Sequence, residues 1–528
     1  MAFIDNPLGI ENVNDAQEAV ARPDADTVQR NVDFYYGDHW QDANAWSGPI
    51  PAIADSDYGT VREEIFRGFK SKNVVKEVVD RASNGITGKT PLFDLVPRRK
   101  VTADAPITDE EQTLIDEAKE LLQEWMDDKE FQKYLSMCLR QTLLSGKSTL
   151  RLFVPAGFVQ QGAMIVNTDN PIEHVYLDAP SPLAATVLTD ANTREKVGIF
   201  LGSMGEEDTA ELSYLLPLAN EKGQRLTEIV VIIGKSNMPM VEEVQLDLGG
   251  RLPMYETEFP RLATEQVISL QKGINLNLTM MERNSVLGGF LERVILNGQL
   301  PAHFETDEDG ERVLVRDEFL VGAGSVNAIQ GNPIIDENTG NITNYTSPNV
   351  VYKDPQNPTT FLTAADAMYQ MILQECDQMY AVSVAQASGD AQRQAVASFF
   401  SYLKTPKQQM DKAGKWTLET VLAYAAFLQG NAGKYDALKV NFETRLDTGS
   451  LPTGEMDILE RWVRIGIMSL ETARERAGIE DPDLESRRVE GEKELRSQNI
   501  VTDNQSSVET GQTIENVDNK DKTEGATE

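Results

Sequence analysis

The fold is decided by two long helical stretches, of which the first, residues 261–289, reads RLATEQVISLQKGINLNLTMMERNSVLGG. Glutamine, serine, asparagine and threonine are interleaved there with Ile, Leu and Met, and few residues are charged. The second stretch, 361–381, reads FLTAADAMYQMILQECDQMYA and has three acids but no lysine or arginine. A helix as polar as the first, with so few charges, fits neither a core nor an ordinary solvent face. We expect it to pack beside copies of itself around a wet interior.

The chain before these helices passes from helical to strand patterns. Thr108 and Glu111 form a capping box that predicts a helix, and a second helix, 131–144, ends at Gly146. Five alternating or β-branched runs then predict a mixed or antiparallel sheet: 149–154, 173–177, 196–201, 227–233 and 241–246. We therefore predict an α+β protein that is mainly helical.

The remaining segments are recognised by composition and turn residues. Residues 1–29 are polar and predict a loose arm, and 290–358 predict a small α/β insertion of short strands and turns. Residues 383–390, SVAQASGD, suit a mobile loop, and from 499 the chain has no hydrophobic periodicity, which predicts a disordered acidic tail.

Length and charge bound the class of protein. The 528 residues suggest several structural units, and 40% hydrophobic residues are enough to bury a substantial interior. The net charge of −35 argues against tight wrapping of nucleic acid, which needs a surplus of lysine and arginine. Two cysteines exclude a disulfide scaffold and fit a reducing cytoplasm, and the longest apolar runs are too short to cross a bilayer.

Short motifs give no support for catalysis or metal binding. The sequence 146–149, GKST, lacks the earlier glycine of a phosphate loop and stands after a helix instead of before one. The run from Glu305 through Asp307 and Asp309 resembles half of a calcium loop, but Arg316 stands where the bidentate glutamate is needed. The three histidines are isolated from other ligands. We predict no catalytic residue, no metal site and no cofactor.

Three segments carry a resemblance to a known family. A helix ends in 84–91, NGITGKTP, which enters a GKxP turn, and Ser388-Gly389 lead from a loop into a long helix. Near the C-terminus, 465–473, IGIMSLETA, is followed by 481–485, DPDLE, and by Glu490. In this order and spacing, over roughly residues 30–498, they resemble the portal proteins of tailed bacteriophages.

The resemblance implies a ring of about twelve subunits with wing, stem, clip and crown regions. In this chain the regions would be as follows: 1–29 flexible arm, 30–260 and 391–450 wing, 261–289 and 359–382 stem helices, 290–358 clip, 383–390 tunnel loop, 451–498 crown and 499–528 acidic tail.

The same resemblance implies a function and partners. Members of the family sit at one capsid vertex of the virion, and the channel of the ring serves DNA packaging and ejection. The implied partners are the major capsid and scaffolding proteins, the terminase motor, the head–tail adaptor and double-stranded DNA, which passes without sequence-specific binding. No membrane is involved, and assembly would take place in the host cytoplasm.

Two sets of residues would face those partners. A conduit must not clamp phosphates, so acidic or lightly charged helices suit its wall. We expect the DNA-facing set to be Asp366, Glu375, Asp377, Gln386, Ser388, Gln392 and Arg393. We expect the clip to present Glu305, Asp307, Asp309 and Arg316 to the motor or the adaptor.

Two other classes remain open from sequence. One is a different phage structural protein, such as a capsid or adaptor subunit. The other is a hydrolase with a dispersed pair of carboxylates, which would show converging titratable groups in a pocket.

Overall fold

The computed structural model of the chain describes residues 8–41, 68–102, 105–155, 159–160, 163–164, 172–190, 194–204, 207–220, 223–234, 240–289, 292–299, 302–306, 310, 312–316, 329–353, 356–379, 381, 389–446 and 460–465. About 45% of the residues are helical and 27% lie in strands, so the protein is α+β with more helix than strand. The chain divides into two units, Met1–Asp447 and Thr448–Glu528. In the second unit, residues 460–464 are helical.

The described helices of the first unit are α1 (Val13–Val20), α2 (Ala25–Tyr36), α3 (Val74–Thr87), α4 (Asp109–Asp128), α5 (Phe131–Ser145), α6 (Glu265–Gly289), α7 (Pro358–Glu375) and α8 (Gly389–Leu428), with a 3₁₀ turn at Asp38–Gln41. Local signals fix several of their ends. The predicted capping box of Thr108 and Glu111 is present at α4, and α5 ends at Gly146, which takes a left-handed φ of 83°. Pro406 lies inside α8 without ending it.

The prediction of a loose N-terminal arm is wrong for residues 8–29. A capping box at Asn12 starts α1, and the apolar face of the helix packs on the larger sheet. The turn into α2 is held by Arg22, which pairs with Asp24 and donates to the Ser145 carbonyl. The buried face consists of Ile10, Val13, Ala16 and Val20. Because these are only four apolar side chains in a mostly polar segment, the composition of the segment did not indicate a packed helix.

The described strands pair antiparallel throughout. Outside the segment 292–353 they are β1 (Leu92–Pro97), β2 (Lys147–Phe153), β3 (Val159–Gln160), β4 (Ala163–Met164), β5 (Tyr176–Asp178), β6 (Ala185–Thr189), β7 (Lys196–Met204), β8 (Glu207–Ala219), β9 (Arg225–Ile233), β10 (Met240–Leu246), β11 (Met254–Glu258) and β20 (Leu438–Glu443). The larger sheet has the order β10-β9-β8-β7-β6 and the smaller β11-β2-β5, while β1 pairs with β20 and β3 with β4.

One main core joins the helices to the smaller sheet. It contains fully buried Trp125 and Phe131, with the indole of Trp125 donating to the Val175 carbonyl. Close packing also brings α8 against β20, where a Cβ on Gly414 would stand 2.2 Å from the ring of Phe442. The same core includes Val267 and Ile268 of α6 and Ile372 and Leu373 of α7, so it fixes these ends of the two helices.

Candidate functional site

The feature that stands out is an arm, which we define as α6, α7 and the strands between them, residues 265–375. Thr264 accepts a hydrogen bond from the Val267 amide and so starts α6 at Glu265, four residues later than predicted. With 25 residues α6 is about 37 Å long. The two helices lie close enough that a Cβ on Gly273 would stand 2.6 Å from the sulfur of Met368. Only glycine allows this approach without displacing the methionine.

The strands of the arm continue from the helix pair. They are β12 (Glu292–Leu296), β13 (Gly298–Gln299), β14 (Ala302–Thr306), β15 (Arg312–Arg316), β16 (Gln330–Gly331), β17 (Pro333–Ile335), β18 (Ile342–Tyr345) and β19 (Asn349–Lys353). They form four two-stranded antiparallel pairs: β12 with β19, β13 with β16, β14 with β15 and β17 with β18. The described residues from 292 to 353 form strands and turns, as the sequence predicts. The α/β character of the whole insertion stays a prediction, because residues 317–328 lie outside the described residues.

Large apolar side chains of the insertion remain exposed. They are Leu296, Val313, Ile334, Ile335, Ile342, Tyr345 and Val351, each at least 40% exposed. All described side chains of β17 and β18 are exposed. A lone two-stranded ribbon is marginally stable in water. We therefore expect another protein surface to cover this part of the arm.

The polar residues of α6 have a different role from the predicted one. Gln271, Asn275 and Thr279 follow one another every fourth residue and are at most 1% exposed. They hydrogen-bond within the same chain: Val74 N donates to Gln271 Oε1 (2.9 Å), Gln271 Nε2 to Lys72 O (2.6 Å) and to Asn275 Oδ1 (2.8 Å), and Lys70 N to Thr279 Oγ1 (2.9 Å). We call these three side chains the polar ladder. We expected the polar residues of this helix to face other copies of the chain around a wet interior, and for these three that expectation was wrong. They are buried because Gln271 and Thr279 supply the hydrogen-bond partners that the backbone of residues 70–74 needs.

A histidine completes the ladder. His39 stacks on Phe34 with the ring centroids 4.1 Å apart, and its Nε2 lies 3.0 Å from Asn275 Nδ2. Burial lowers the pKa of His39, which favours the neutral ring that can accept from an amide. His39 therefore helps to hold α6.

A second network holds α7 to α3. The Tyr369 hydroxyl donates to Glu77 Oε1 (2.6 Å), and Lys72 Nζ lies 3.7 Å from the centre of the Tyr369 ring. Burial alone would raise the pKa of Glu77, but hydrogen bonds from Tyr369 and Arg81 hold it below its ordinary value. The carboxylate is therefore ionised at neutral pH and strengthens the Tyr369 hydrogen bond.

The second long helix is shorter than predicted. It ends at Glu375 and is followed by Cys376 and by Asp377, whose φ of 55° is left-handed. The Asp377 carboxylate accepts from Ser398 Oγ at 2.9 Å, which ties the turn to α8. The prediction that the helix runs to about 381 was wrong, because the apolar spacing continues past a turn that breaks the backbone hydrogen bonds.

The three predicted wall acids do not share a face. Asp377 is outside the helix, and Asp366 and Glu375 are nine residues apart, about two and a half turns, so they lie on opposite sides of α7. Between them, facing away from the buried side, runs an exposed stripe that has no charged residue: Thr359, Thr360, Thr363, Ala367, Gln370, Met371 and Gln374. We call this the uncharged face of α7.

The other predicted residues are placed as follows. Gln386 and Ser388 lie outside the described residues. Gly389 and Asp390, predicted in the loop, begin α8, and the backbone of Gln392 and Arg393 continues it. Glu305 on β14 is exposed, and its Oε1 lies 2.9 Å from Nε2 of His303. Asp307 and Asp309 lie outside the described residues, and the backbone of Arg316 is in β15, opposite Ala302.

The described residues show two further facts about sites. No group of three or more His, Cys, Asp or Glu side chains among them is arranged to hold a metal ion. No described helix combines the length and the apolar character that a membrane span requires. The sequence 146–149 joins the end of α5 to the start of β2, the order that was predicted and the reverse of a phosphate loop.

Comparison with known families and with curated proteins returns no match for this chain. A function therefore has to be inferred from the residues of the arm and from their surroundings.

Proposed function

We propose that the chain is the subunit of a closed ring of the portal class found in tailed bacteriophages, with a channel through which DNA is packaged and ejected. The observation that carries the proposal is the arm: two long antiparallel helices, packed on each other, that enclose an insertion of exposed strand pairs. The order of wing, stem and clip that the sequence resemblance implies has this same connectivity.

The surface of the arm supports assembly with copies of the same chain. The apolar side chains of the insertion are exposed together on the arm. Exposed apolar patches of this kind are typical of protein interfaces. A contact between different surfaces of identical subunits closes into a ring when the rotation allows it.

The charges of the arm support passage of DNA. Each phosphate that a protein clamps with lysine or arginine adds a salt-dependent barrier to movement. The uncharged face of α7 offers no such contact, and the net charge of −35 adds general repulsion. We therefore assign the wall to Thr363, Ala367 and Gln370 in place of the acidic set.

A hydrolase is the less favoured alternative. An open cleft of about 500 Å³ lies between α3, α4 and α5, and its lining includes Asp127 and Glu130. Glu130 there is paired with Lys133 at 2.5 Å and is on the surface. A general acid has to lie free within hydrogen-bonding reach of the reacting atom, and the Glu130 carboxylate is instead engaged by Lys133 at the surface.

The mass of the purified protein tests the proposal. Native mass spectrometry should show one closed species at a multiple of 58.6 kDa, about 700 kDa for twelve copies. A monomer at 58.6 kDa under all conditions contradicts the proposal.

Variants then test the wall. Ala367→Lys combined with Gln370→Lys should leave the ring intact and slow DNA passage in a packaging assay. Gln123→Lys, an exposed change on α4, is the matched control and should package normally. Unchanged packaging by the double variant would show that this face does not line the channel.

A further inference from the structure

Three cations converge on one carboxylate at a point far along the chain from the arm. Glu419 on α8 lies 3.9 Å from Arg98 Nη2, 4.0 Å from Arg251 Nη2 and 3.9 Å from Lys415 Nζ. Arg98 follows β1, Arg251 precedes β11, and Lys415 is one turn before Glu419. Three separate elements therefore bring positive charge to one place in a strongly acidic protein.

The distances show that the cluster is not a set of closed ion pairs. Direct charge-assisted hydrogen bonds between nitrogen and a carboxylate are about 2.7–2.9 Å long. All three distances to Glu419 are about 1 Å longer than that, although only 17% of the Glu419 side chain is exposed. The three cations thus surround the carboxylate without gripping it.

The local charge stays positive when the next carboxylate is included. Asp436 also acts on Arg251, and it accepts from Gln224 Nε2 at 3.1 Å. Burial and the neighbouring Arg98 lower the pKa of Arg251, while Glu419 and Asp436 oppose that change. Three cations against two carboxylates leave room for one more negative charge.

Backbone carbonyls hold the two arginines in place, and Trp416 anchors the neighbouring turn of α8. Arg98 Nε donates to the Leu438 carbonyl (2.8 Å), Arg251 Nη1 to the Leu248 carbonyl (3.2 Å), and the Trp416 indole to the Leu252 carbonyl (3.2 Å). The cluster is open on one side, because the Arg98 and Lys415 side chains are 48% and 39% exposed. A cavity of about 10 Å³, lined in part by Arg251, Glu419 and Asp436, adjoins the cluster and is large enough for one water molecule.

We propose that Arg98, Arg251 and Lys415 form a binding site for a phosphate group, with Glu419 as a built-in competitor for the same cations. A phosphate oxyanion suits the site better than a carboxylate does. The tetrahedral oxygens of a phosphate can accept hydrogen bonds from donors on three sides. The planar carboxylate of Glu419 does not reach all three cations at hydrogen-bonding distance. The source of the phosphate is either inorganic phosphate or the phosphodiester backbone of a nucleic acid. This site does not depend on ring formation.

Titration calorimetry of the full chain with inorganic phosphate tests the site. The wild type should bind saturably, and Arg98→Ala and Lys415→Ala should each weaken binding about tenfold. Both side chains are substantially exposed, so these variants should fold. Glu419→Gln keeps the shape and removes the competing charge, so it should tighten binding by about the same factor.

Lys404→Ala is the matched control, because Lys404 is an exposed lysine on the same helix, three turns from Lys415. It should bind phosphate as the wild type does. Absence of saturable binding by the wild type, or equal affinity in all four variants, overturns the proposal.

A short DNA duplex distinguishes the two sources. If duplex displaces phosphate and loses affinity in Arg98→Ala and Lys415→Ala by the same factor, the site takes the phosphodiester backbone. If duplex does not compete while phosphate still binds, the site takes the free anion. Weakened phosphate binding by Glu419→Gln would contradict the competitor role and with it the proposal.

Discussion

Replacing Gln271 by methionine tests whether the polar residues of α6 serve the inside of the subunit or its neighbour. The side chain is fully buried and makes three hydrogen bonds, one accepted from the Val74 amide and two donated to the Lys72 carbonyl and to Asn275. Each is worth about 1 kcal/mol net, and methionine keeps the volume but none of the bonds, so the unfolding free energy should fall by about 3 kcal/mol.

Urea unfolding measures this loss as a lower midpoint at unchanged slope. Gln266→Met is the matched control, since Gln266 is the same residue type on the same helix but exposed, and its effect should stay within about 0.5 kcal/mol. If Gln271→Met unfolds like the wild type while the assembly loses mass, then Gln271 faces a neighbouring subunit and the polar ladder is wrongly described.

Three further changes test the packing. Tyr369→Phe removes the hydrogen bond from α7 to α3 and should cost about 1 kcal/mol in urea unfolding, while Tyr36→Phe, an exposed change, should cost almost nothing. Gly414→Ala places a methyl group 2.2 Å from the Phe442 ring, so it should destabilise by about 1–3 kcal/mol in the same assay, although alanine favours helices; a stabilised variant would contradict the packing. The hydrogen bond from Arg99, together with the one from the Thr108 backbone amide in the capping box, lowers the pKa of Glu111 to about 2. The contribution of the Glu111 carboxylate to the free energy of unfolding is therefore complete above about pH 4.5 and is lost as the pH falls toward 2. In urea unfolding measured across that pH range, Glu111→Gln should show a flatter dependence of stability on pH than the wild type.

The parts of the fold that sequence predicts well have strong local signals. The capping box of α4, the glycine end of α5 and the length of α6 are set by neighbouring residues in the chain, and the structure confirms them within a few residues. One local signal was overlooked: Ala210, Leu212, Tyr214 and Leu216 alternate along β8 and are buried on one face. That alternation was sufficient to predict the strand.

The parts that sequence does not predict depend on contacts between distant segments. Nothing in the pattern of α6 shows that Gln271 and Asn275 will meet the backbone of residues 70–74, because about two hundred positions separate the partners. The pairing of Tyr369 with Glu77 has the same cause. That Asp366 and Glu375 lie on opposite sides of α7 follows from the sequence alone, by counting the two and a half helical turns between them.

The most direct test of the ring is electron microscopy of the purified protein viewed along its axis. The arm should produce particles with cyclic symmetry and a central hole wide enough for a DNA duplex, about 20 Å or more in diameter. Particles of a single subunit's size, or rings whose centre is filled by α6 and α7, would contradict the assembly proposed for this chain.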